Sequence, residues 1–228
     1  MTGRVYVWDL PTRLFHWLLV VLIAAAYLTA SFDVMDWHRR IGLTLLGLVV
    51  FRLVWGFVGS RHARFAEFLR GPAAVLAYLR GAWHGVGHNP LGGWSVLLLL
   101  LLPLAMVGSG LFANDDVAFQ GPLAGLVDKA SSDRLTSLHH LAFDLLLGLI
   151  GLHLAAIAYY RLARRENLVK PMFSGWKEGD FAEEQPRRPA RWPALLLAVV
   201  VAGGVVYAVT ALEPPPPAPI PAEALPDW

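Results

Sequence analysis

Four histidines lie within or at the ends of long apolar segments of this 228-residue chain, at His16, His38, His139 and His153. His139 and His153 are 14 residues apart, which in an α-helix places both on nearly one face, about 21 Å apart along the axis. A neutral imidazole is a good ligand for haem iron, and a haem held by two histidines passes electrons without an open position for substrate. The spacing therefore indicates two bis-histidine haems at two levels of one helical bundle.

Five apolar segments must position these side chains. They cover residues 14–30, 41–58, 94–112, 138–160 and 193–212, and each is close to the roughly 20 residues that cross a bilayer core as a helix. Apolar residues make up 56% of the chain and charged residues 16%, against about 45–50% and 25% in soluble domains. The sequence predicts an all-α integral membrane protein, with a four-helix transmembrane bundle core plus a fifth C-terminal transmembrane helix.

Composition also excludes several classes of protein. The chain has no cysteine, so disulfides, iron–sulfur clusters, thiol catalysis and covalently attached c-type haem are ruled out. The net charge of +2 is small for a nucleic-acid partner. Any redox chemistry must therefore depend on histidine, carboxylates or methionine. The expected surroundings of these side chains are other helices and membrane lipid.

Lysine and arginine counts predict the orientation, because these residues concentrate on the cytoplasmic side. The N-terminal arm and the connections 59–90 and 161–192 carry 14 of them, whereas the opposite connections carry four. We expect a multi-pass protein of the bacterial cytoplasmic (inner) membrane, with a cytoplasmic N-terminus and an extracytoplasmic C-terminus.

This orientation determines which histidines share a level. The first helix starts inside with His16, and the fourth runs from outside to inside, which brings His153 to a similar depth. The second and fourth helices start outside at His38 and His139. The predicted axial ligands are therefore the pair His16–His153 for an inner haem and the pair His38–His139 for an outer haem.

Two further residues join the predicted site. Arg52 follows His38 by 14 residues and so lies at the inner level, where a haem propionate is a suitable anionic partner for it. Gly42, one turn after His38, offers a small residue against which a flat macrocycle could pack. Asp144 is more than about 10 Å from the level of Arg52, so we expect no direct pair, and a proton-transfer role for Asp144 stays open.

Other interpretations of the histidines stay open at this point. Membrane histidines often form hydrogen bonds with neighbouring helices, and polar intramembrane residues also line ion paths in transporters. His88 either lines a site beside the inner haem or caps the third helix.

Six ordered motifs resemble the prokaryotic cytochrome b561 family, and more closely its branch related to the b-type cytochrome subunits of nickel–iron hydrogenases. They are TRLFHW at 12–17, WHRRIG at 37–42, FRLVWGFVGSRHARF at 51–65, GHNPLGGW at 87–94, LHH through LH at 138–153 and KPMFSG at 170–175. The resemblance covers about residues 5–177. It implies a four-helix core that binds two haem b, with His16, His38, His139 and His153 as ligands.

The resemblance also implies a function, that of a dihaem b-type cytochrome carrying electrons between a quinone pool and an extracytoplasmic partner such as a c-type cytochrome. The alternatives are the membrane anchor and electron-acceptor subunit of a nickel–iron hydrogenase or, from another class, a haem-free transporter or scaffold. No catalytic residue is predicted, and both a quinone-linked oxidoreductase role and a homodimer stay open. Asp144 departs from the family, whose members often carry an amide there.

The expected organisation has four parts. Residues 1–177 form the dihaem core, 178–192 a cytoplasmic linker, 193–212 the fifth transmembrane helix and 213–228 a proline-rich extracytoplasmic tail. The fifth helix and the tail lie outside the resemblance.

Overall fold

The computed structural model describes residues 3–82, 87–117, 119–179 and 192–215, and most of them are helical. Most of the predicted linker and tail, residues 180–191 and 216–228, therefore lies outside the described residues. The elements in chain order are β1 (Gly3–Tyr6), α1 (Leu10–Ser31), α2 (Met35–Val58), a 3₁₀ turn (Arg61–Ala63), α3 (Phe65–Phe68), α4 (Pro72–Leu79), α5 (Pro90–Gly110), a second 3₁₀ turn (Ala124–Leu126), α6 (Lys129–Leu162), α7 (Val169–Ser174), β2 (Trp176–Gly179) and α8 (Trp192–Ala211).

Five of the described helices, α1, α2, α5, α6 and α8, are long and apolar enough to cross a membrane. The prediction of an all-α, multi-pass membrane protein is confirmed. All five begin before the apolar segments predicted for them, most of all α6, which has 34 residues and begins in polar sequence. Its start was predicted too late because only Ala130 and Leu135 are apolar among residues 129–137.

Side-chain caps explain where three of these helices begin. Asp9 accepts a hydrogen bond from the backbone N–H of Thr12 at 2.9 Å, and Asn89 accepts one from Gly92 at 2.7 Å. Asp128 does the same for Ser131 at 2.8 Å. Such caps satisfy backbone donors that have no partner within the helix. Asn89, and not His88, therefore caps the third spanning helix.

Helix α2 is the centre of the packing. It contacts α1, α5 and α8, and α5 packs along α6. A buried apolar cluster that includes Ala26, Leu45, Val107 and Val209 joins α1, α2, α5 and α8. Helices α1 and α6 make only sparse contact within the described chain, so the four-helix core is left open between them.

The opening between α1 and α6 is bounded at both ends. At the end that the lysine and arginine counts predict to be extracytoplasmic, called the outer end here, the rings of Tyr27 and Phe143 stack with centroids 5.6 Å apart. At its inner end β1 and β2 pair antiparallel, and the N–H of Val7 donates to the carbonyl of Gly175 at 2.9 Å. Gly175 adopts φ +85°, and a Cβ there would lie 2.6 Å from the ring of Tyr6, so this turn requires glycine.

The fifth spanning helix packs directly on the core. Ala198 and Ala202 of α8 are buried, and Gly47 of α2 leaves room for Val206. After α8, Glu213 forms an ion pair with Arg39 on α2. Three other small residues of this helix, Gly203, Gly204 and Ala208, are exposed, so only some of the small residues of α8 pack against the core.

Candidate functional site

The two outer histidines face each other between α2 and α6. The ring centroids of His38 and His139 are 6.1 Å apart, and the ring planes cross at 78°. Nδ1 of His38 lies 2.9 Å from the carbonyl oxygen of Ala26, and Nδ1 of His139 lies 2.8 Å from that of Met106. Because a carbonyl oxygen only accepts, each Nδ1 carries the hydrogen, and each Nε2 is left with a free lone pair.

The distance between the two rings matches that of two imidazoles that share one iron. A metal–imidazole bond is about 2 Å long, and the ring centre lies about 1 Å behind the bonded nitrogen, so two imidazoles on one metal have centres about 6 Å apart. A hydrogen bond from the second ring nitrogen to a carbonyl is the usual way in which a ligating histidine is oriented. Membrane histidines often form hydrogen bonds with neighbouring helices. Here those bonds use Nδ1 and leave Nε2 of both rings available.

Two glycines adjoin the outer pair. A Cβ on Gly110 of α5 would lie 3.0 Å from both Nδ1 and Cε1 of His139, whereas a Cβ on Gly42 would meet nothing within 4 Å. Gly110 is therefore needed for the close approach of α5 to His139, and open space lies beside Gly42. Sequence reasoning identified Gly42 from its distance to His38 and missed Gly110, which lies on a helix without a predicted ligand.

The inner histidines are held less tightly. His16 on α1 and His153 on α6 are both half-buried and close enough to interact electrostatically. Nδ1 of His16 is buried without a hydrogen-bond partner among the described residues. These two helices flank the open side of the core, so the pair lies across the opening.

Arg52 lies in the interior, close to Phe15, which precedes His16 in the chain. Only 3% of the residue is exposed, and its guanidinium lies 5.3 Å from the ring centre of Phe65 and 6.0 Å from that of Phe15. Nη1 is buried and has no hydrogen-bond partner among the described residues. An unpaired buried cation is costly, so this geometry suits an anionic group that supplies the missing acceptor. Asp144 is exposed on the outward side of α6, as expected for a residue that does not pair with Arg52.

Asp9 is a buried carboxylate that sequence reasoning missed. One oxygen of Asp9 caps α1. The other accepts a hydrogen bond from Nε1 of Trp55 at 3.0 Å, and the carboxylate interacts electrostatically with Arg52. The local signal was present, because Asp9 is followed by Leu10 and Pro11, a pattern typical of a helix start.

Two more histidines lie at this inner end. The ring of His88 contacts those of Trp8, at 4.5 Å between centroids, and Phe68, at 4.9 Å. Burial, and after it the charge of Arg52, lowers the pKa of His88 to about 3. Burial also lowers the pKa of His62. Both imidazoles are therefore neutral near pH 7, and each offers one N–H donor.

No group of three or more His, Cys, Asp or Glu side chains in the described ranges could hold a bare metal ion. The predicted ligands form two pairs, His38 with His139 and His16 with His153, and two is the number of histidines that a bis-histidine haem requires.

The comparisons with known proteins agree with this chemistry. The model of the prokaryotic cytochrome b561 family matches residues 7–175. The chain is 25% identical to a probable Ni/Fe-hydrogenase B-type cytochrome subunit of Azotobacter chroococcum mcd 1, over 80% of this chain and 91% of that protein. It is 26% identical to a protein of the same description from Rhizobium leguminosarum bv. viciae, over 75% of this chain and 87% of that protein. No solved structure has a significant match to the chain.

Proposed function

The chain belongs to the prokaryotic cytochrome b561 family, and we propose that it is a dihaem b-type cytochrome that carries electrons across the cytoplasmic membrane. Family membership makes it a multi-pass b-type cytochrome of electron transport. The proposal adds the number of haems, their ligands and the path between a quinone pool and an extracytoplasmic redox partner.

The observation that carries the proposal is the geometry of His38 and His139. We assign these two residues to an outer haem b and His16 with His153 to an inner haem b. Haem b supplies a one-electron iron couple. The chain contributes the orientation of the rings, which in the outer pair depends on the carbonyls of Ala26 and Met106.

Two residues outside the ligand pairs have proposed roles in binding. Nη1 of Arg52 has no hydrogen-bond partner within the described ranges, which supports an ion pair with a propionate of the inner haem. The open space beside Gly42 supports packing of the outer macrocycle there.

The distribution of lysine and arginine supports an N-terminus in the cytoplasm and a C-terminus outside, in the bacterial inner membrane. In this orientation residues 1–177 form the haem-binding core, 178–192 a cytoplasmic linker, 193–212 the fifth spanning helix and 213–228 an extracytoplasmic tail. Both histidine pairs lie within one chain, so haem binding does not require a homodimer.

A second candidate function is the membrane anchor and electron-acceptor subunit of a nickel–iron hydrogenase. The descriptions of the relatives favour it, since this chain covers 91% of one hydrogenase cytochrome subunit and 87% of another. The first candidate has a c-type cytochrome or a similar protein as the outer partner. Quinone is a partner in both.

The purified protein tests the haem assignment directly. We expect a low-spin b-type spectrum after dithionite reduction and two haems per chain. His38→Ala should remove the outer haem and His153→Ala the inner one, and each should halve the haem content. His140→Ala is the matched control, because His140 is exposed and adjacent to His139. A colourless protein would favour the haem-free transporter or scaffold, and unchanged haem content in both variants would reject the ligand assignment.

A second experiment separates the partners. Membranes that contain the protein are reduced with a quinol analogue and then mixed with an oxidised soluble c-type cytochrome. Rapid haem reoxidation supports the c-type partner. Haem reduction by H₂ that requires a co-expressed nickel–iron hydrogenase supports the second candidate instead.

A further inference from the structure

Polar side chains that bind no iron in the proposed function gather at the inner end of the core. They are Arg52 on α2, His62 in the first 3₁₀ turn and His88 just before α5. We propose that Arg52 and His88 together form a carboxylate-binding site, in which each holds one propionate of the inner haem. His88 is then a haem-positioning residue, and this inference rests on the proposed function.

The first observation is the unsatisfied cation. Arg52 is 3% exposed, and Nη1 has no hydrogen-bond partner among the described residues. Asp9 is the nearby carboxylate, but its two oxygens already accept hydrogen bonds from the N–H of Thr12 and Nε1 of Trp55. The guanidinium can therefore bind an incoming carboxylate without breaking an existing hydrogen bond.

The second observation is an unsatisfied imidazole close to that cation. Nδ1 of His88 is also buried without a hydrogen-bond partner in the described part of the chain. His88 interacts electrostatically with Arg52, His62 and His153, so it lies within electrostatic range of one of the proposed ligands of the inner haem. Asn89 caps α5, so His88 is not needed to begin that helix.

The ring of His88 is also held in place. Trp8 comes from the N-terminal arm and Phe68 from α3, so two separate elements fix the imidazole. A fixed ring loses little conformational freedom when it binds a ligand, which favours recognition of a defined group.

The chemistry of these groups selects the ligand. A guanidinium and a neutral imidazole supply N–H donors and one net positive charge, which match carboxylates. A haem b carries two carboxylates on one edge, and the site offers two separate donors, Arg52 and His88, that interact electrostatically with each other. His62 also lies within electrostatic range of His88 and is the third imidazole in this region, after His88 and His153.

The test compares His88→Leu, which removes the donor, with His88→Gln, which retains one. Both variants and His140→Leu as the matched control are purified with haem, and redox titration followed by absorbance and electron paramagnetic resonance gives the potential of each haem. We expect two haems in every variant. In His88→Leu the equilibrium constant for reduction of the inner haem should fall about tenfold, which favours the oxidised form. A propionate that loses its donor leaves more uncompensated negative charge near the iron.

His88→Gln should show a smaller shift in the same direction and keeps the test informative if His88→Leu does not fold. The resonance Raman bands of the propionates should change in His88→Leu and not in His140→Leu. Arg52→Lys should also favour the oxidised inner haem, and its effect should not add to that of His88→Leu, since both residues hold one haem.

Each other outcome overturns a distinct claim. If the wild-type protein has two haems and His88→Leu changes neither the potential nor the Raman bands, the carboxylate site is wrong and the proposed function stands. Loss of one complete haem in both His88 variants would make His88 an iron ligand and would also overturn this inference. A wild-type protein without haem would reject the proposed function itself.

Discussion

Gly110 of α5 lies directly against the imidazole of His139 on α6. A Cβ at this glycine would lie 3.0 Å from both Nδ1 and Cε1 of the ring. The same close approach lets Nδ1 of His139 reach the carbonyl of Met106 at 2.8 Å. The orientation of one proposed haem ligand therefore depends on the absence of a side chain on the neighbouring helix.

Gly110→Ala should displace His139 and weaken binding of the outer haem. Contacts at 3.0 Å force either the ring or the helix to move, and a shift of the ring breaks the hydrogen bond to Met106. We expect the haem content of the purified protein to fall toward one haem per chain. Gly108→Ala on the same helix is the matched control, because a Cβ there meets nothing within 4 Å. Equal haem content in both variants would contradict this role of Gly110.

Arg52→Met should have opposite effects on the haem-free and haem-loaded proteins. Without haem the guanidinium is a buried cation whose Nη1 has no hydrogen-bond partner in the part of the chain that the structure describes. Its removal should raise the free energy of unfolding by about 1–2 kcal/mol. With haem the variant loses the proposed propionate partner and should be less stable than the wild type. Thermal unfolding of both forms in detergent measures the two changes. Destabilisation of the haem-free form would show that packing of Arg52 against Phe15 and Phe65 outweighs its desolvation.

Asp9 and Trp55 should be coupled in stability. Asp9→Ala removes the cap of α1 and leaves the indole N–H of Trp55 without its acceptor. We expect a loss of about 2–4 kcal/mol, from about 1 for the cap and about 1–3 for the buried donor. In the double variant with Trp55→Phe the loss in the free energy of unfolding should be smaller than the sum of the losses in the two single variants. Strict additivity in thermal unfolding would mean that the Asp9–Trp55 hydrogen bond contributes nothing.

Introduced cysteines can test the proposed orientation, since the chain has none of its own. Ala66 on α3 and Val117 in the α5–α6 connection are both exposed. The cells are treated so that only the outer membrane is permeable, and a membrane-impermeant maleimide should then label Val117→Cys. Ala66→Cys should be labelled only after the inner membrane is broken. The reverse pattern would place the N-terminus outside.

The parts of the fold that lipid determines could be predicted from the sequence. A helix that crosses a bilayer needs a long apolar segment because its backbone cannot form hydrogen bonds with lipid, so all five spanning helices are visible as apolar segments. The proximity of His38 and His139 was predicted because the second and fourth spanning helices were both expected to start on the outer side.

The features that depend on tertiary contact were missed. β1 and β2 have four residues each and form only because the N-terminal arm meets the segment after α6. Gly110 carries no signal of its own, since its role comes from the position of His139 on another helix. The sequence left two roles open for His88, and only the geometry showed that Asn89 is the cap.

The pairing of β1 with β2 also sets an order for biosynthesis. The partner of residues 3–6 is residues 176–179, so the first strand stays unpaired on the ribosome until nearly the whole core has been translated. Until then the strand pair cannot hold the ends of α1 and α6 together, and the opening between these two helices remains accessible from the bilayer. A nascent chain that stops before residue 176 would contain every proposed iron ligand and still lack this tie.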